Sequence, residues 1–106
     1  MSVTLINQFT VPAGRDEQFL ALWRPVNDVM RAQPGYRAHA LHRALGPDAA
    51  GRYVNVATWA SMEDFRAAHA APAFRELTAR PEWAEFPSRP AVYEVVDAAA
   101  AEEALS

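Results

Sequence analysis

One stretch constrains what this 106-residue chain can fold into more than any other: Tyr53–Phe74, reading YVNVATWASMEDFRAAHAAPAF. Tyr53, Val54, Val56, Thr58 and Trp59 are the β-branched and aromatic residues that fit a pleated strand. Ser61 follows as an N-cap, and Asp64 three residues later can reach back to complete a capping box. Met62, Phe65 and His69 then recur at spacings of three and four, which puts them on one helical face. A strand ending in Trp and linked by one residue to a capped helix holds Trp59 and His69 near one another. Local structure alone thus brings two chemically useful side chains together.

The remaining elements are read around that unit. Val3–Val11 alternates as a strand, with Val3, Leu5, Asn7 and Phe9 on one face and Thr4, Ile6, Gln8 and Thr10 on the other. Pro12-Ala13-Gly14 breaks it, and Asp16 and Glu17 sit where a helix N-terminus favours negative charge. Phe19, Leu22 with Trp23, Val26 and Met30 form an apolar stripe at helical spacing. Pro25 inside that stripe predicts a kink near Trp23 in a single helix, and Pro34-Gly35 ends it. Tyr36–Leu45 is the second strand, with Ala38, Ala40 and His42 facing opposite to Arg37, His39, Leu41 and Arg43. Gly46–Gly51 is a loop of hairpin length, and Arg52–Trp59 is the third strand. The second helix runs to about His69, jogs, and resumes over Pro72–Thr78, where Pro72 suits a first turn. Arg80–Pro90 holds prolines together with Trp83 and Phe86 and reads as an ordered loop pinned by aromatics. Ala91–Val96 is the fourth strand. One domain over residues 1–97 is expected, with residues 98–106 as an Ala- and Glu-rich tail that could form a frayed helix.

The order β-α-β-β-α-β predicts a ferredoxin-like α+β fold with one antiparallel sheet. Both helices cover one sheet face. The other face carries either Val3, Leu5 and Phe9 or Ile6 with its neighbours, and is too apolar for water. A second subunit is the economical cover, so a homodimer is expected.

Composition removes several function classes. A formal net charge of -3 argues against a nucleic-acid partner. The chain has no Cys, which excludes disulfides and thiolate chemistry, and no Lys, which excludes Schiff bases. The amino-terminal MSVTLINQF lacks a basic region, so no signal peptide is expected. No apolar run approaches the ~20 residues needed to cross a bilayer, and a cytoplasmic protein without membrane contact is expected. The scattered histidines have no Asp or Glu at ligand spacing, so no metal is expected. GPDAAG lacks the Lys and the Gly spacing of a phosphate loop.

Three segments carry a family resemblance: I-N-Q-F-T-V-P-A-G in the first strand and turn, Q-P-G-Y before the second strand, and V-N-V-A-T-W-A-S-M-E-D-F-R-A-A-H. Over roughly residues 3–96 the chain resembles the antibiotic biosynthesis monooxygenase family of dimeric α+β barrels. That resemblance implies cofactor-independent oxygenation of electron-rich aromatics such as anthrones or quinols, with dioxygen as the second reactant. It also implies relatives that degrade haem with an Asn on the first strand and a Trp and a ligating His on the second helix. Asn7 matches that Asn. On the shared W-x-S-x-x-x-F, however, the Trp position falls at Ala68 and the His position near Leu77 or Thr78, which disfavours haem degradation.

Three residues are the candidates for catalysis. Asn7 is either a satisfied structural amide or a donor to a phenolate or enolate oxygen. His69 is either a packed histidine or a general base, since its ordinary pKa lies near neutrality. Trp59 is either packing or an indole that donates to a substrate oxygen and stacks on a flat ring. Trp23, Tyr36, His42 and Phe65 are candidates for lining the substrate cavity. Competing readings are a non-catalytic binder of a flat apolar ligand, haem included, and a structural dimer without ligand.

Overall fold

A computed structural model describes residues 1–100 of the chain. Strands β1 (Val3–Thr10), β2 (Tyr36–Arg43), β3 (Arg52–Trp59) and β4 (Ser88–Tyr93) form one antiparallel sheet in the order β2-β3-β1-β4. Helices α1 (Asp16–Arg31), α2 (Met62–His69) and α3 (Pro72–Thr78) connect them, with a 3-10 turn over Pro81–Glu85. This is the ferredoxin-like α+β arrangement that the order of elements predicts. Among the described residues no helix is long and apolar enough to cross a membrane.

The register of β1 on β3 sorts the helix-covered face into rows. Phe9 lies opposite Tyr53, Asn7 opposite Asn55, Leu5 opposite Ala57, and Val3 opposite Trp59. The first row joins Phe19 and Leu22 of α1 and Phe86 in one buried cluster. The last row joins Met30 of α1 and Ala68 of α2 in a second. Between them the sheet presents two amides, and α1 presents Asn27 between Leu22 and Met30. The core is therefore divided at its middle by a polar band.

The opposite face carries Thr4, Ile6 and Gln8 with Val54, Val56 and Thr58, so Ile6 and its neighbours, rather than Val3, Leu5 and Phe9, form the uncovered side. α1 runs unbroken through Pro25. Ala21, whose carbonyl Pro25 cannot serve, faces solvent and can be hydrated. Ser61 caps α2 by accepting from the Asp64 N–H at 3.0 Å. The other half of the expected capping box is replaced by a packing role, because the Asp64 carboxylate lies over Gly35.

The fourth strand is displaced from its expected span. It covers Ser88–Tyr93 rather than Ala91–Val96, and Val95 and Val96 are exposed. Prolines suggested a loop up to Pro90, but β4 is an edge strand, where a residue without an N–H is tolerated. Pro90 lies opposite Asn7. The second strand stops at Arg43, leaving Leu45 exposed. The frayed-helix reading of the tail falls largely on residues 101–106, outside the described residues; residues 98–100 carry no regular structure.

Candidate active site

The polar band is the floor of a cleft of about 430 Å³ between the sheet and the helices. β1 supplies Asn7, β3 supplies Asn55, and α1 supplies Asn27, each on the face that alternation or helical phase turns inward. Walls of Trp23, Met30, Phe65, Phe74 and Trp83 complete an apolar slot with a few amides at its base. That combination of flat aromatic walls and sparse polar groups is typical of a small-molecule site.

His69 enters this cleft from the last turn of α2. Its Nδ1 donates to the Phe65 carbonyl at 2.7 Å, which assigns the proton to Nδ1 and leaves the Nε2 lone pair free in the neutral ring. Three aromatic rings surround the imidazole: Phe65 at 4.1 Å, Phe74 at 4.7 Å and Trp59 at 5.7 Å between centroids. Burial among them pushes its pKa below the ordinary value, and the Phe65 hydrogen bond opposes that only in part. The ring is thus an uncharged base at neutral pH.

The amides are poised rather than satisfied. Asn7 Oδ1 and Asn55 Oδ1 are both buried and have no hydrogen-bond partner. Buried polar groups are normally paired, so two orphans on facing residues of one cleft signal groups that await a ligand. Asn27 is anchored, with Nδ2 donating to the Trp23 carbonyl at 3.0 Å. Thr78 likewise donates to the Phe74 carbonyl at 2.9 Å while lining the cleft.

Of the residues singled out in the sequence, Asn7, His69, Trp23 and Phe65 meet in this cleft. Trp59 does not line it. The indole is 1% exposed and stands edge-on behind His69 and Phe65, so it braces the base from the rear. Tyr36 lies one layer further back, edge-on to Trp59 and hydrogen-bonded to His39 Nδ1 at 2.6 Å. A bulge between Tyr36 and Ala38 sets this phase of β2. His42 sits on the opposite sheet face beside Val54, away from the cleft. Ala68, at the position of the haem-site Trp, is 1% exposed in the second core cluster.

Asn55 and Asn27 are the additions that sequence reasoning missed. Asn55 carries the same signal as Asn7, a lone amide in an inward-facing strand set of Tyr53, Ala57 and Trp59. Asn27 interrupts the apolar stripe of α1. Phe74 had no readable signal, because the jog at Ala70 and Ala71 decides where α3 points.

A family model for antibiotic biosynthesis monooxygenases matches residues 2–80. Deoxynogalonate monooxygenase of Streptomyces nogalater is 38% identical over 72 residues, covering 68% of this chain and 58% of that protein's length. The structure of SnoaB, a cofactor-independent oxygenase from the same organism, superposes with a TM-score of 0.78 at 29% identity, covering 92% of this chain and 95% of the other. A candidate monooxygenase from Shewanella loihica PV-4 matches at 35% identity and a TM-score of 0.75, covering 92% of this chain and 96% of its own.

Proposed function

This chain belongs to the antibiotic biosynthesis monooxygenase family, and from that membership and the cleft we propose that it is a cofactor-independent monooxygenase of electron-rich polycyclic phenols of the anthrone or quinol type. The observation that carries this reading is the placement of His69: an imidazole whose Nδ1 is held by the Phe65 carbonyl, inside an aromatic slot that also holds two unpaired amide oxygens.

The chemistry follows from those groups. Nε2 takes a proton from the acidic methylene of an anthrone, and the charge spreads onto the ring oxygen. Asn7 and Asn55 each offer amide N–H donors to that developing oxyanion, in a slot where exclusion of water strengthens them. The carbanion gives its electrons to dioxygen, and a carbon–oxygen bond forms to yield a peroxide, protonated by the imidazolium. His69 then removes the remaining proton at that carbon, the O–O bond breaks, and the distal oxygen leaves as water. One methylene and one dioxygen become one carbonyl and one water. The protein contributes a base, donors and a dry cavity, while the reducing electrons come from the substrate.

A haem-degrading role is less well supported, because the resemblance expects a ligating His near Leu77 or Thr78 and neither residue can take that part, the Thr78 hydroxyl being committed to the Phe74 carbonyl. We propose further that a second copy of the chain covers the open sheet face, where Ile6, Val54 and Val56 form an apolar strip.

The test is oxygen uptake with a peri-dihydroxyanthrone and labelled dioxygen. One labelled atom is expected in the product carbonyl, and His69→Ala is expected to slow turnover by about 10²–10⁴-fold, the usual worth of a positioned base. Turnover by His69→Ala at the wild-type rate would return His69 to a packing role.

A further inference from the structure

Two indoles at the cleft abut a tyrosine–histidine pair that the proposed reaction does not use. Trp59 stands behind the base, 5.7 Å from His69 and 5.7 Å from Tyr36 between ring centroids. Trp23 lines the cleft itself and stands edge-on to His39 at 5.2 Å. Tyr36 and His39 are joined by the 2.6 Å contact of Oη with Nδ1, and both are half-buried on β2, an edge strand. A run of neighbouring rings therefore leads from the cleft to the surface. The polar ends of these rings differ in one respect. Trp59 Nε1 is buried and, among the described residues, has no acceptor, so an oxidised indole there has nowhere to release its proton. It stays a radical cation, which is a stronger oxidant than the deprotonated radical. The Tyr36 phenol does have an acceptor within reach. Burial, and then Arg31, lower the His39 pKa, so that ring is uncharged at neutral pH and its Nδ1 accepts while Nε2 holds the proton.

We propose that Trp59, Tyr36 and His39 form a proton-coupled outlet that carries an oxidising equivalent from the cleft to solvent. The oxidant is a peroxyl radical, formed when a substrate radical that escapes recombination adds dioxygen. It takes one electron from Trp59 and, with a proton from the His69 imidazolium, becomes a hydroperoxide. One electron from Tyr36 restores Trp59, and the phenol O–H bond breaks as its proton passes to His39 Nδ1. A neutral tyrosyl radical and an imidazolium then stand at the sheet edge. A soluble one-electron reductant such as ascorbate returns the electron there, and the His39 proton goes back to the phenolic oxygen. In sum, one peroxyl radical, one electron and one proton become one hydroperoxide, and the indole is unchanged. Trp23, whose ring meets His39, feeds the same pair. The source of the radical rests on the oxygenase reading, but the outlet is measured without substrate.

Azide radicals made by pulse radiolysis oxidise indoles in preference to phenols, and the indolyl and tyrosyl radicals absorb differently. In the intact protein the indolyl signal is expected to decay into a tyrosyl signal at a rate independent of protein concentration. A nitroso spin trap and peptide mass spectrometry should locate that radical on Tyr36. Tyr36→Phe, which keeps the ring, is expected to lose most of the tyrosyl signal. His39→Leu keeps the phenol but removes its acceptor, and is expected to slow the conversion about tenfold or more, a modest share of what a positioned proton acceptor is worth. A water-soluble azo initiator then supplies a steady flux of peroxyl radicals with ascorbate present. Tryptophan fluorescence is expected to fade several-fold faster in Tyr36→Phe than in the wild type, with the added oxygen mapped to Trp59. A radical found on Tyr53 or Tyr93, or a full tyrosyl signal in Tyr36→Phe, overturns the outlet. So does an unchanged rate in His39→Leu, an equal loss of fluorescence, or added oxygen confined to Trp83. Because no substrate enters, each of these failures leaves the oxygenase reading where it stands.

Discussion

His69 is the residue on which solution behaviour should turn. Burial lowers its pKa, so the neutral, basic form persists from neutrality down past the ordinary imidazole value of about 6.5 before the proton is taken up. The rate is therefore expected to fall on the acid side of about pH 6.5, and to be flat through neutrality. An active His69→Gln variant should lack that limb; a retained limb assigns it to another group. Stability changes in the same direction. The unfolded chain takes up protons near pH 6.5 while the folded ring resists, so folding stability declines as pH drops from about 6.5 toward the lowered value. His39, also lowered by burial and then by Arg31, adds to that decline, so the difference between wild type and variant isolates His69. Asn55 tests the amide pair. Asn55→Leu removes an orphaned acceptor from the cleft, and is expected to cost about 10²-fold or more in turnover while raising stability by about 1–3 kcal/mol. A variant that is less active and also less stable would make Asn55 a structural amide. Asn7 was legible in the sequence because it breaks an apolar alternation, and Asn55 breaks the alternation of β3 in the same way.

At the scale of elements, legibility followed the range of the interactions that decide each boundary. α2 and α3 stand at their expected limits, since Ser61 and Pro72 act within one turn of themselves. β3 does too, because its turn formers and its Trp are local. β4 does not, because whether Pro90 is tolerated depends on β4 lying at the sheet edge, a fact about topology rather than about neighbours. The cleft was legible only in part for the same reason. Helical phase placed Phe65 and His69, but the bulge in β2 and the jog before α3 decided that Tyr36 is withdrawn and Phe74 is included. One connection between elements is especially constrained. Gly35 has φ of +83°, its carbonyl accepts from the Ala60 N–H at 2.8 Å, and its Cα faces the Asp64 carboxylate. It therefore ties the turn after α1 to the start of α2, the element that carries the base. Gly35→Ala is expected to destabilise by about 1–3 kcal/mol from backbone strain alone, with more from the clash. A denaturant midpoint unchanged from wild type would mean that the turn can relax without disturbing α2.

The whole molecule presents a sheet covered by helices on one side only. If a second copy covers the other, light scattering at micromolar concentration should give twice the monomer mass, with an interface of more than roughly 1,000 Å² of total buried surface. A monomeric mass would leave Ile6, Val54 and Val56 to water and remove the dimer from the account. The divided core has a separate consequence. Phe9, Phe19 and Phe86 pack on one side of the amide band, and Met30, Trp59 and Ala68 on the other, so few apolar contacts join the two halves across it. A flat guest in the cleft would touch both and act as the missing middle layer. Occupancy would then be readable as heat resistance: a ligand at about one hundred times its Kd adds roughly 2.7 kcal/mol to the folded state. Melting curves taken across a collection of aromatic compounds would thus find the natural guest before any reaction is known, with the protein's own cohesion as the reporter.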